Sequence, residues 1–180
     1  MYEYIPKKST KKVTGMVIML AAAAALLFFI PSFFSDIPYA WGFQLCGFAL
    51  LVAIIYITTR YVSRSYIYRV IPREDSDGAV EGYDLMITEL SGKSRVTVCR
   101  LGLERISRVE KIDQKTEGAV KELVRKEKRK RFIYLSELDP EIKCCIFAEE
   151  CGEPLAVTIS SDGHLFAILE EAAKRNGDAE

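Results

Sequence analysis

Three groups of residues in this 180-residue chain carry side chains capable of chemistry. The first is Ser161-Asp162-Gly163-His164, which contains the single histidine. A serine–histidine–aspartate site needs a relay geometry that closeness in sequence does not supply. Ser161 or Asp162 stands just before an apolar run of helical spacing, and helix capping accounts for both. The second group is Cys144-Cys145 and Cys151, which with His164 could be drawn as metal ligands. Structural zinc sites pair cysteines across about two to four intervening residues, whereas adjacent residues on a strand point to opposite faces. Cys144 falls on the apolar face of Ile142 and Ile146, and Cys145, beside Phe147, on the other. The third group is the run Lys121–Arg131, in which Lys121, Arg125, Lys126, Lys128, Arg129, Lys130 and Arg131 stand against only Glu122 and Glu127. Such a patch could bind lipid headgroups, each near-surface cation adding about 1 kcal/mol. It lacks the interleaved aromatics that stack nucleic-acid bases, so no nucleic-acid partner is expected. The plain alternative is a solvated helix face running into a strand.

A phosphate-cradling glycine loop, a nucleophile elbow and paired catalytic carboxylates are missing from the sequence. The expectation is a protein that is not an enzyme, with no catalytic, cofactor-binding or metal-binding residues and no cofactor. An enzyme hidden in the β-rich part is the remote alternative.

The elements that place these groups begin with two apolar runs, Val13–Phe34 and Ile37–Thr59. Each has roughly 22 residues, enough to cross a hydrocarbon core of about 30 Å as a helix. Small residues, Ala21–Ala25 in the first and Gly42, Cys46, Ala49 and Ala53 in the second, predict the faces on which the helices pack. Pro31 and Pro38 bracket the connection. Gln44 is the one strongly polar side chain inside the spans, and its place near the outer interface is explained by hydration. A cleaved leader is a poor fit, because its apolar core is about 7–15 residues and no second span would follow.

Zero net charge hides a division. Residues 1–64 carry a net +4 and the remainder a net −4. Lys7, Lys8, Lys11, Lys12, Arg60 and Arg64 flank the apolar runs, and the connection has no cation. The positive-inside rule then places both termini in the cytoplasm, with Lys11, Lys12 and Arg60 as interfacial anchors on that side and Tyr39 and Trp41 on the other. The predicted organisation is a basic cytoplasmic tail over 1–12, a transmembrane hairpin over 13–60 with helices at about 13–34 and 37–59, a cytoplasmic domain over 61–176 and a frayed tail over 177–180. Five cysteines at irregular spacing argue against a disulfide framework, as a cytoplasmic placement would.

Within the domain, Tyr66–Ile71 reads as a strand. Tyr83–Leu90 and Ser94–Leu101, joined by Ser91-Gly92-Lys93, read as a β-hairpin. Leu103, Ile106, Val109 and Ile112 recur every three residues and fit either a helical turn or an irregular strand. Asp113–Lys130 leans helical, with Val120, Leu123 and Val124 on one face and favourable pairs Glu117–Lys121, Glu122–Lys126 and Glu127–Arg131, although a loop insertion fits as well. Three further strands follow at Arg131–Ser136, Ile142–Glu149 and Pro154–Ser160. A final helix runs to about Arg175 with Leu165, Ile168, Leu169 and Ala172 as its buried stripe.

The stretch Gly92-Lys93-Ser94-Arg95-Val96-Thr97-Val98-Cys99-Arg100-Leu101, followed by Ile106 and Val109, resembles small bacterial membrane proteins in which a two-helix hairpin precedes a pleckstrin-homology-like domain. The resemblance implies an α+β fold: a transmembrane hairpin, then a bent antiparallel sheet or barrel of six to seven strands closed by a C-terminal helix. It implies an interaction or regulatory module, with membrane lipids and an unidentified protein as partners and a homo-oligomer through the hairpin as a further expectation. Two departures stand out. Lys115–Lys130 is long for a connection between strands, and the last helix lacks a tryptophan, the only one being Trp41. Phosphoinositide binding is therefore not carried over. An anionic-lipid sensor acting through 121–131 is the second expectation.

Overall fold

The computed structural model describes residues 1–6, 10–33, 40–74, 76, 78–113, 115–137 and 140–177. Lys7, Lys8, Phe34, Ile37, Pro38, Tyr39 and residues 178–180, all used in the expectations above, lie outside the described residues. The chain divides into two compact units, Lys8–Arg64 and a second made of Met1–Lys7 together with Ser65–Glu180. Among the described residues the fold is α+β, with four α-helices and two four-stranded sheets.

The smaller unit holds α1 (Thr10–Phe33) and α2 (Ala40–Ile57), the latter continuing as a π-helical segment over Thr58–Ser63. Both are long and apolar enough to cross a membrane by length and composition, over Lys11–Ile30 and Trp41–Ser63. Helix α1 runs through Pro31 rather than stopping there. A proline in the last turn removes one hydrogen bond and leaves little helix beyond it to disrupt. The two helices pack on each other, but through Gly47, which lies outside the expected stripe of Gly42, Cys46, Ala49 and Ala53. Ala24 and Gly47 are buried, whereas Cys46 and Ala49 are exposed. A Cβ on Gly47 would lie 2.8 Å from the Phe28 ring, and Phe28 meets Phe48 edge to face at 5.2 Å. An aromatic ring seated on a glycine rotates the seam away from the smaller side chains one turn-third along the helix. Ile18, Leu26, Phe29, Leu45, Val52 and Ile55 remain exposed.

In the larger unit the first sheet has the order β1-β2-β3-β4, built from Tyr2–Tyr4, Arg64–Glu74, Val80–Ser91 and Ser94–Gly102. The segment expected to be a polar tail therefore supplies a strand. Alternating Tyr2 and Tyr4 suit a pleated edge, and Pro6, which has no N–H to donate, stops the pairing. The β3–β4 hairpin turns on Gly92 at φ +59°, the first of two central residues, as a type II′ turn requires. The second sheet has the order β5-β7-β8-β6, with β5 at Ile106–Ile112, β6 at Lys130–Tyr134, β7 at Ile142–Glu150 and β8 at Glu153–Ser161. Leu103–Arg105 is a single 3-10 turn before β5, so the three-residue periodicity there covers a turn and then a strand. Among the described residues seven strands, β2–β8, lie within 61–176, in line with the six to seven expected there, and β1 from the tail adds an eighth; β6 pairs with β8 in parallel, unlike the all-antiparallel arrangement expected.

The main core lies between the two sheets and α4 (Gly163–Gly177), where Tyr68, Leu85, Ile87, Leu101, Ile146 and Leu165 are fully buried. The other face of the second sheet is covered by α3 (Glu117–Lys126), whose Val120 and Val124 pack on Ile112, Cys145, Phe147 and Ala156. The stretch left open between helix and loop is thus a helix. Asp113 Oδ1 accepts the amides of Lys115 and Thr116, each at 2.9 Å, and starts it. Its end is a Schellman motif, with Arg129 N on Val124 O at 3.1 Å, Lys128 N on Arg125 O at 3.2 Å, and Lys128 at φ +49°.

Candidate functional site

A concavity of about 520 Å³ lies between α4 and the strands of the first sheet. Its floor is apolar, from Val70, Leu103, Ile168 and Ala172, and its walls are ionic. Arg73 on β2 is the hub of one wall. It contacts Glu104 at 2.7 Å, Glu81 at 3.3 Å and the buried Asp84 at 3.4 Å. Asp84 also accepts Arg100 Nε at 2.6 Å. These carboxylates raise the Arg73 pKa. Partial burial of Glu104 works against its ionised form, but the hydrogen bonds from Arg73 and its own backbone, with the charges of Arg73 and Arg105, together outweigh it and hold Glu104 below the usual carboxylate range. At the far end, Asn176 Nδ2 donates to the carbonyls of Leu103 and Ile106, both at 2.8 Å, and fastens the last turn of α4 to the 3-10 turn.

Helix α4 begins where capping chemistry predicts. Asp162 Oδ1 accepts the Leu165 amide at 2.8 Å. Its other oxygen, Oδ2, accepts the Tyr2 hydroxyl from β1. Burial and the Asp162 carboxylate push the Tyr2 phenol up to about 12, so it stays a proton donor. The exposed His164 ring tilts against Tyr2 at 4.6 Å. Ser161 Oγ donates to the Asp162 carbonyl at 2.9 Å. The three residues considered for a relay therefore do separate structural work: both Asp162 oxygens are engaged, and the serine hydroxyl turns to the backbone.

Cys144 and Cys145 face opposite sides of β7. Cys144 lies in the main core with Ile146, and Cys145 beside Phe147 under α3. Burial pushes the Cys144 thiol up to about 12 and that of Cys99 up to about 11, and it raises Cys145 as well. The thiolate is the nucleophile and the metal ligand, so these three behave as small apolar side chains. Cys151 is exposed in the β7–β8 turn.

The basic run is divided by the fold. Lys121 pairs with Glu117 at 2.9 Å and Lys126 with Glu122 at 3.2 Å, as the helical spacing predicts. The expected Glu127–Arg131 pair does not form among the described contacts, because the helix ends before it and Arg131 lies on β6; Glu127 meets Arg129 instead. Arg129 is partly buried, its side chain only 17% exposed. It donates to Ala148 O at 3.1 Å and Leu155 O at 3.4 Å and lies 5.3 Å over the Phe147 ring. Lys130 pairs with Glu153. Arg125, Lys128 and Arg131 stay exposed without an ion pair among the described contacts. Among the expected interfacial anchors, Lys11, Lys12 and Trp41 are exposed, and Arg60 lies 6.0 Å from the Tyr61 ring centre.

Sequence reasoning missed Tyr2 and the groove beside it. The signal was slight: two tyrosines alternating about Glu3 and a proline just beyond. The chain matches no family model, no curated protein and no solved structure.

Proposed function

We propose that this chain is a non-enzymatic integral membrane protein whose two-helix hairpin presents a pleckstrin-homology-like domain to the cytoplasm as an interaction or regulatory module. The observation that carries the reading is the pairing of β1 with β2. One strand precedes the two apolar helices and the other follows them, which supports a hairpin whose flanks share one side of a bilayer. Two crossings satisfy that condition; one does not. Basic residues at both flanks favour the cytoplasmic side. The likeness to pleckstrin-homology domains rests on two sheets enclosing a core that one C-terminal amphipathic helix completes.

Reporter fusions at the two ends, combined with alkaline carbonate extraction, test the reading. The expected result is a membrane-retained chain with both reporters cytoplasmic. Extraction into the soluble fraction, or reporters on opposite sides, would sink it.

A second reading, an anionic-lipid sensor, draws on the exposed Arg125, Lys128 and Arg131. A chain in which a short linker joins Ile5 to Ser65 should bind vesicles containing phosphatidylserine and release them as salt rises. Equal binding by an Arg125→Glu, Arg131→Glu variant would remove this role.

A further inference from the structure

Strand β1 is short and lightly held. Its ladder has three pairs, Tyr2↔Val70, Glu3↔Arg69 and Tyr4↔Tyr68. Its side chains add the Tyr2–Asp162 hydrogen bond, a Glu3–Arg69 pair at 2.6 Å and a Tyr4–Tyr68 stack at 6.0 Å. Tyr2 and Tyr4 are partly buried and pack on the edge of the main core, whose buried residues begin at β2. An edge strand of this length belongs to the low end of local stability. Its partner is fixed differently: Tyr68 and Val70 of β2 are buried, and β2 is flanked by β3 on its other side.

The connection between the two strands is unusual. Adjacent antiparallel strands are commonly joined by a short turn. Here the chain leaves β1, forms α1 and α2, and returns as β2. Only Ile5–Ser9 separate β1 from α1, so a shift in the depth or tilt of α1 acts first on the weaker strand. Met1 and Tyr2 line the groove against α4, and undocking them opens it on that side.

We propose that Met1–Tyr4 is a strap whose docking on β2 and Asp162 depends on how α1 sits in the bilayer. Docked, it closes one side of the groove and engages Asp162 Oδ2. Undocked, it leaves Asp162 with its capping role alone. The proposal rests on the membrane reading above, since bilayer thickness is what resets helix tilt.

The test is hydrogen–deuterium exchange on the full chain in nanodiscs made from short-chain and long-chain phosphatidylcholine. Wild-type amides of residues 2–4 should differ in exchange by about tenfold or more between the two bilayers, the equivalent of one charge-assisted hydrogen bond. A flexible Gly-Ser insertion between Ile5 and Pro6 should abolish that difference. The Tyr2→Phe, Glu3→Arg variant should exchange faster there in both bilayers, while β7 and β8 keep wild-type protection and report an intact fold. Incorporation with bilayer-independent exchange at residues 2–4, or a difference that survives the insertion, overturns the strap alone. Failure of the chain to incorporate into nanodiscs overturns the membrane reading and the strap with it.

Discussion

The Tyr2 hydroxyl donates a hydrogen bond to the Asp162 carboxylate, joining residues 160 positions apart. The same carboxylate caps α4 through the Leu165 amide, so one acid holds the first strand and the last helix together. Tyr2→Phe removes the hydroxyl and keeps the ring against His164. Loss of one hydrogen bond to a charged acceptor should lower stability by about 1–2 kcal/mol. Denaturant unfolding of the detergent-solubilised chain reads it, and an unchanged midpoint would contradict the role given to this bond.

Alkali should weaken the β unit through its tyrosines. Burial is the largest cause that raises Tyr2, Tyr4 and Tyr134, each to about 12 from 10.0. A folded-state pKa above the unfolded one means that the unfolded chain releases its proton first. The stabilising contribution is complete below pH 10 and is lost as pH climbs through 12. Thermal melts across that range should fall progressively, and more shallowly for Tyr2→Phe. A melting temperature constant through the interval would refute the linkage.

Lys128 holds the left-handed position that ends α3, at φ +49°, where a Cβ is unfavourable and glycine is the usual occupant. Lys128→Gly should stabilise the fold by roughly 0.5–1 kcal/mol despite removing a side chain. The same denaturation experiment decides the sign, and a loss of stability would mean that the lysine makes a contact worth more than the strain.

The β7–β8 turn makes a parallel case. Cys151 and Gly152 both have positive φ, +52° and +77°, between the paired Glu150 and Glu153. This is the type I′ geometry that favours Asn-Gly. Cys151→Asn should raise the melting temperature, and Gly152→Ala should lower it. In the wild type, Cys151 should react with maleimide far faster than the buried Cys144 and Cys145. Comparable labelling of all three in the native state would be incompatible with the strand faces described.

Arg129 and Arg125 lie in one basic run and should behave differently. Arg129→Ala strips hydrogen bonds from two strand carbonyls and the cation from the Phe147 face, at a cost of about 2–3 kcal/mol. Lysine should not rescue it, because one ammonium does not serve at once the two carbonyls met by Nη1, the Glu127 carboxylate met by Nε and the Phe147 face. Arg125→Ala, on the exposed face of α3, should change stability by less than about 0.5 kcal/mol. Equal effects of the two would dissolve the distinction.

Much of the architecture was legible because it depends on neighbours along the chain. The two apolar spans, the Gly92 hairpin, the Asp162 cap, the opposite faces of Cys144 and Cys145 and the apolar side of α3 are all properties of spacing and local backbone preference. A period of two or of 3.6 residues places side chains on faces before any partner strand arrives. The candidate groove was not legible. Its walls come from β1, β2, β3, the 3-10 turn and α4, segments that carry no shared pattern.

The sequence by itself determined the apolar helix pair, the strand-rich segment after it and the closing amphipathic helix, because these follow from hydrophobic period and turn chemistry. Only the tertiary structure decided that Tyr2–Tyr4 pairs with β2, that β6 lies beside β8, that Gly47 rather than Cys46 meets Phe28, and that Arg129 is partly buried against β7 and β8. The physical reason is common to all four. Each depends on which distant surface wins a contact after loop closure and burial have been balanced, and neither a residue's charge nor its place in a local repeat contains that comparison.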